Sequence, residues 1–501
     1  MGEGGFAGKW RKLSGEDNWN SLLEPLDIDL RRYLIFYGER VQANYDTFIL
    51  DRRSRYTGAS KFTKKQFFSR LGLDKGNPIK YNVVKYIYAT STSPTAPQSF
   101  LLKSLVKDPY LGQSNWMGYI AVSSEKSKPL LGRRDIVISW RGTIQISEWI
   151  ENFDFPLKPT TKVFPTSTCA LAHSGFLSIY TSSHPNSRFN KTSARDQVVS
   201  TIKRLVERYK DEDVSITVIG HSLGGALATL TGGDIAVNGY NKPTSRPNKS
   251  FPVTVFAYGN PILGNICLRE LLHKQENLHI LRTVNMIDFI QFLPPLIGYE
   301  HIGHKLVIDT RKSPYLKAIE SYAKRHNMEA SYLHGLAGSH GVDKEFKLVI
   351  TRDLALVNKR TNLLKDEYLI PNHWWTQQNK GMVQLSNGSW KLHELKGYPP
   401  QNDEIEYDDK DDDDDEDEIE HDDNDDEEED EIEHDDKDDD DEDEINDDDE
   451  EDEIEHDDKD DDDEDEINDD DEEDEIEHDD KDDGEDEDDK DRDEARVQIS
   501  L

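Results

Sequence analysis

The stretch Ser215–Gly225, S-I-T-V-I-G-H-S-L-G-G, decides how the rest of this chain is read. Four β-favouring residues run into a Gly-x-Ser-x-Gly pentapeptide made by Gly220, His221, Ser222, Leu223 and Gly224. An alanine-rich, helix-forming segment starting at Ala226 follows directly. A strand that turns abruptly into a helix at a serine lifts the hydroxyl clear of the sheet, at the positive end of the helix dipole. The turn is so tight that bulky side chains cannot flank the serine, which accounts for the glycines. The pattern therefore points to a nucleophilic serine. The bland alternative is a glycine-rich strand-to-helix turn, and the presence or absence of catalytic partners decides between them.

Working outward, short apolar runs at Asn82–Tyr88, Trp116–Val122 and Asp135–Trp140 read as strands before the elbow. Val253–Tyr258, His279–Val284 and Lys305–Asp309 read as strands after it. Between them, Val198, Val199, Ile202, Leu205, Val206 and Tyr209 share one face of a helix spanning Ser193–Lys210. Strands alternating with helices argue an α/β class with a mostly parallel sheet flanked by helices. Near the start, Leu30, Tyr33, Leu34, Tyr37, Val41 and Tyr45 follow helical spacing and predict an amphipathic helix packed on the body. The basic stretch after it (Arg52, Arg53, Arg55, Lys61, Lys64, Lys65) is either a solvated loop or a contact for anionic head groups.

A serine hydroxyl is not nucleophilic at neutral pH unless a histidine takes its proton and a carboxylate holds the imidazole. In the α/β-hydrolase order these follow as Ser, Asp or Glu, then His. The aspartates between Ser222 and the later histidines are Asp234, Asp288 and Asp309. Asp234 lies too near on the following helix to reach round, and Asp309 only ends a strand. Asp288 stands just past His279–Val284, where a strand-end loop delivers a carboxylate. His326 and His334 share the segment H-N-M-E-A-S-Y-L-H-G, and spacing alone does not choose between them as the base.

Beyond the residues themselves, the body resembles the plant phospholipases A1 of the class II type, within the class 3 (fungal-type) lipases of the α/β-hydrolase fold. The resemblance covers about residues 8–395. It rests on N-W-x-x-L-L-x-P-L, Y-G-E-x-x-Q-x-x-Y-D, W-R-G-T, H-S-G-F, G-H-S-L-G-G, Y-G-N-P, V-N-x-x-D and H-N-M-E-x-x-Y-L-H-G. It implies hydrolysis of the sn-1 acyl ester of phospholipids at a membrane surface, with no metal or other cofactor. It also implies that His326 is the base, although one extra residue between Glu329 and Tyr332 departs from the family pattern and keeps His334 in play. The oxyanion hole is expected from the backbone N–H of Leu223. By the resemblance, its second donor is Thr143, after Arg141-Gly142. Residues 144–153, with Trp149 and Ile150, are expected to form a lid, and Phe289–Ile297 to wall an acyl groove. Competing readings are hydrolysis mainly of galactolipids or acylglycerols, and a non-catalytic lipid- or protein-binding module on the same fold.

Composition divides the chain unequally. The formal net charge is −45, yet residues 402–501 hold 70 acids against 7 Lys/Arg, leaving the first 401 residues with 35 acids and 53 bases. The chain is thus expected to comprise a lipase domain at 1–401, including a helical entry at 8–70, and a disordered Asp/Glu-rich tail at 402–501. The tail repeats with a period of 22, placing His434, His456 and His478 in matching positions. Contact with the chain's own basic body, with basic proteins or weakly with calcium is the expectation for it; no loop has EF-hand spacing. No nucleic-acid partner and no transmembrane segment are expected. Two cysteines, Cys169 and Cys267, and an N-terminus without an apolar signal region argue against a disulfide scaffold and for a reduced, cytoplasmic setting.

Overall fold

The computed structural model describes residues 5–91, 101–143, 156–294, 297–318, 321–375 and 378–393. The expected lid and tail lie outside these residues. Seven strands form the central sheet: β1 (Tyr81–Ala89), β2 (Asn115–Ser123), β3 (Arg134–Trp140), β4 (Val214–His221), β5 (Val253–Tyr258), β6 (Leu278–Asn285) and β7 (His304–Ile308). They lie side by side in chain order; β1 and β2 run antiparallel to their neighbours, and β3 through β7 are parallel. Every residue of β3, β4 and β5 is buried. Strands covered on both faces must be apolar throughout rather than alternating, which is why I-V-I-S-W and V-T-V-F-A-Y read as continuous runs. The expected strands form to within a residue of their expected ends.

Three helices position the site. Helix α1 (Ile28–Thr47) is capped by Asp27, whose carboxylate accepts from the backbone N–H groups of Asp29 and Leu30. Helix α2 (Ala194–Arg208) opens on a reciprocal capping box between Ser193 and Asp196. Helix α3 (Leu223–Val237) leaves the elbow and is buried from Leu223 through Ile235. Helix α1 packs with Ile219, Phe256 and Leu281 in one core cluster. Gly232 of α3 lies against Val255, whose side chain points to the opposite face from Phe256. The sheet is therefore a middle layer between helices.

A buried polar knot ties α1 to the sheet. The Asp135 carboxylate accepts from the hydroxyls of Tyr37 and Tyr81 at 2.7 Å, Ser215 at 2.7 Å and Thr217 at 2.8 Å, with Arg133 3.6 Å away. With this many donors the charge is satisfied where bare burial would be prohibitive. Residues 354–375 return to the far end of α1: Lys359 Nζ lies 2.6 Å from Asp46, and Trp375 Nε1 donates to the Asp46 carbonyl at 3.0 Å.

The expectation of reduced cysteines needs correcting. Cys169 and Cys267 form a disulfide, with Cα atoms 5.7 Å apart. It joins the short ribbon Leu157–Pro159/Leu171–His173 to the helix Ile266–His273. A pair separated by 98 residues leaves no local spacing signal, and two cysteines say nothing of their own proximity.

Candidate active site

The elbow has the geometry its glycines demand. Ser222 sits at φ 60° between β4 and α3, a backbone conformation that costs a non-glycine residue about 1–3 kcal/mol and persists only when its surroundings impose it. Its amide is anchored to the Tyr258 carbonyl at the end of β5, 2.9 Å away. A Cβ on Gly220 or Gly224 would collide with the Gly224 or Trp140 carbonyl, so strand, turn and helix meet at backbone contact. The Ser222 hydroxyl is buried and has no hydrogen-bond partner among the described residues.

The structure brings Asp288 and His326 together. Asp288 follows β6 in the expected strand-end loop, and its Oδ2 lies 2.6 Å from His326 Nδ1, both side chains being fully buried. The Ile290 amide donates to Asp288 Oδ1 at 3.0 Å, and the Tyr332 hydroxyl donates to Oδ2. Among the described residues His326 Nε2 is buried and without a partner, like the Ser222 hydroxyl. Held through Nδ1, the imidazole presents Nε2 as its proton acceptor.

His334 lies elsewhere. It stacks on Phe346 at 4.9 Å and meets Ser313 Oγ through Nε2 at 2.8 Å, and burial pushes its pKa down to about 3. The segment after His326 forms a π-helical turn, Met328–Leu333, capped by Asn327. From this turn Tyr332 reaches Asp288. The other carboxylates are engaged apart from this site: Asp234 binds Tyr180 and Arg195, and Asp309 binds Arg311.

On the opposite side of Ser222 runs the loop Arg141-Gly142-Thr143. The buried Arg141 guanidinium donates to the Trp116 carbonyl at 3.1 Å and the Gly142 carbonyl at 2.8 Å, fixing the loop. Gly142 presses on the elbow, since a Cβ there would stand 3.1 Å from the Ser222 Cβ. Thr143 is buried, with its hydroxyl unpartnered among the described residues. Leu223 is the first residue of α3, so its N–H has no acceptor within the helix.

Two contacting residues escaped the sequence reading. Tyr45, on the last turn of α1, shares a 2.7 Å hydrogen bond with His221 Nδ1, and its hydroxyl lies where a Cβ on Gly142 would have to go. His221 lies beside His326, ring centroids 4.4 Å apart, and burial followed by the charge of His326 drives its pKa well down. A neutral His221 adds no repulsion when His326 takes a proton. Tyr45 was legible only as a core-facing helical position, and Tyr332 only as part of a motif. The H-S-G-F motif is structural: His173 caps the helix Ser174–Thr181 by accepting from Gly175 N–H at 3.0 Å. In the expected groove wall, Ile290 is core while Phe292 is 53% and Ile297 105% exposed.

Comparison with known proteins fits this geometry. The class 3 lipase family model matches residues 137–297. Phospholipase A1-IIgamma of Arabidopsis thaliana is 48% identical over 396 residues, covering 78% of this chain and 94% of that protein. Phospholipase A1-II 1 of Oryza sativa subsp. indica is 46% identical over 393 residues, covering 78% and 97%. The chain belongs to the class 3 lipase family. As a class 3 lipase it is a lipid ester hydrolase. Among solved structures, the Lip2 lipase of Yarrowia lipolytica is similar at 20% identity over 57% of this chain and 81% of that one, with a TM-score of 0.36. No helix among the described residues is long and apolar enough to cross a membrane.

Proposed function

We propose that this class 3 lipase is a serine phospholipase A1 that cleaves the sn-1 acyl ester of phospholipids. Ser222 Oγ attacks the ester carbonyl while His326 Nε2 takes its proton. Asp288 holds the imidazole through Nδ1 and stabilises the imidazolium, itself held by Tyr332 and the Ile290 amide. The N–H groups of Leu223 and Thr143 receive the oxyanion, where charge develops only during reaction. His326 returns the proton to the leaving lysophospholipid alkoxide. Water, deprotonated by the same nitrogen, then releases the fatty acid from Ser222.

The observation that carries this reading is the Asp288–His326 pair of 2.6 Å, whose buried Nε2, like the hydroxyl of the elbow serine, has no partner among the described residues. The phospholipid headgroup and the sn-1 position come from the named relatives. The test is mass analysis of products from mixed-chain phosphatidylcholine, run beside a galactolipid and a triacylglycerol. The sn-1 fatty acid should be released from the phospholipid by wild type, and Ser222→Ala should lower turnover about a million-fold. Release of the sn-2 chain, or faster turnover of either other lipid, rejects the assignment. Residues 402–501 are read as a polyanionic segment that competes with anionic lipid for the basic body, on charge alone.

A further inference from the structure

Ser222 lies at the carboxyl end of β4, and the pairing of Trp140 with Gly220 and with Gly118, and of Ala89 with Asn115, puts the end of β1 and the start of β2 at that same end. Two loops meet there. The Trp116 N–H donates to the Gly58 carbonyl at 2.9 Å, and Asn115 Oδ1 accepts from the Leu102 N–H at 2.7 Å, seating both loops on the start of β2. They are laced together where Leu105 N–H meets the Arg52 carbonyl at 2.7 Å, Tyr110 N–H the Arg55 carbonyl at 2.9 Å, and Arg52 Nε the Lys103 carbonyl at 3.1 Å.

The exposed side chains of these two loops are mostly basic, with exposed leucines among them. Arg52, Arg55, Lys103 and Lys107 are exposed, and none has a carboxylate partner among the described residues. Leu105 is 67% and Leu50 38% exposed in the same loops. The acids there are Asp51, taken by Arg53 at 3.1 Å, and Asp108. Across the sheet, beyond β6, Met286 (42%) and Phe292 (53%) are exposed near Asp288. Strand order sets Ser222, just past the end of central β4, between the basic plate and this apolar rim.

The geometry points to the plate formed by Arg52, Arg55, Lys103, Lys107 and Leu105 as a docking surface for an anionic phospholipid bilayer, orienting the lipase with Ser222 toward the lipid. Unpaired cations around an exposed leucine match a layer of phosphates over acyl chains, whereas a purely solvated loop has no use for the leucine. The assignment deepens the phospholipase reading by naming the surface on which it works.

The full-length chain carrying Arg52→Gln, Arg55→Gln and Lys103→Gln together is compared with wild type by sedimentation with phosphatidylcholine vesicles and with phosphatidylserine-rich vesicles. Each basic residue near an anionic surface contributes about fivefold in affinity, so the triple change should weaken binding to the anionic vesicles about a hundredfold at low salt. The loss should shrink as salt rises and be small on phosphatidylcholine alone. Leu105→Ser should weaken binding to both. Binding of the triple variant to anionic vesicles within about twofold of wild type overturns the assignment, as does an equal loss on both compositions. Hydrolysis of a soluble short-chain phospholipid is followed in parallel; a fall there as large as on vesicles means the changes reached the catalytic site, and also overturns it. A wild-type chain that binds vesicles in this pattern but hydrolyses no phospholipid keeps the surface and removes the phospholipase reading.

Discussion

Replacing Gly142 by alanine tests the oxyanion loop without touching any group that reacts. A Cβ at this position would stand 2.5 Å from the His221 carbonyl oxygen and collide with the Tyr45 hydroxyl. An ordinary contact begins near 3.4 Å, so the loop must retreat by roughly 0.9 Å. The obstacle is the backbone of the elbow itself, anchored through Ser222 to β5, so the Arg141–Thr143 loop has to give way. A Thr143 donor that starts at hydrogen-bond distance, about 2.9 Å, ends near 3.8 Å, where the bond is lost. Losing one oxyanion donor costs about 10²–10³ in kcat, or about 3–4 kcal/mol. Because the oxyanion exists only during reaction, KM should barely move. The assay is steady-state hydrolysis of a soluble short-chain phospholipid, with melting temperature as the check on folding. A kcat within about threefold of wild type, or a raised KM with kcat intact, would refute the placement of Thr143 opposite Leu223.

Three further expectations can be measured independently. His326→Ala should cost about as much activity as Ser222→Ala, and adding Ser222→Ala to it almost nothing more, whereas His334→Ala should chiefly lower the melting temperature by opening a cavity beside Phe346; an inactive but folded His334→Ala would reverse the roles. Glu329, buried beside Arg352, has its pKa raised to about 7 by desolvation from 4.5, so its contribution to stability is present below pH 4.5 and lost as pH rises through 7. Denaturant titration should show Glu329→Gln gaining about 3 kcal/mol on wild type between pH 4 and pH 8, and a difference that does not change with pH contradicts this. Truncation at Asn402 should raise binding to phosphatidylserine-rich vesicles at low salt, the gain fading as the Debye length falls below about 10 Å; equal binding of the two chains at low salt removes the competing role of the tail.

What the sequence made legible was what is local or periodic. The elbow announces itself because the serine and the glycines that make room for it are neighbours, and buried parallel strands read as continuous apolar runs whatever lies around them. Asp288 was found by order along the chain, since strand ends deliver loops to one edge. The choice between His326 and His334 could not be made from spacing, because both stand in one short segment and only the folded chain sets His326 against Asp288 and His334 against Ser313. The Tyr45–His221 contact spans 176 residues and the disulfide 98, and no pattern in one sequence connects such positions.

The proposed catalytic unit is longer than the segment that carries the family's signature. Residues 137–297 hold Thr143, Ser222, Leu223 and Asp288, yet neither His326 nor Tyr332 nor Tyr45. The proposed base, His326, arrives from beyond β7, where Asn285 Nδ2 donates to the Ser331 carbonyl at 2.7 Å and fixes the π-helical turn to the end of β6. Tyr45 arrives from α1, far upstream, and the residue after it is gripped by Lys359 and Trp375 of the returning C-terminal arm. The two outer segments thus lock one another at the point where α1 touches His221 and Gly142.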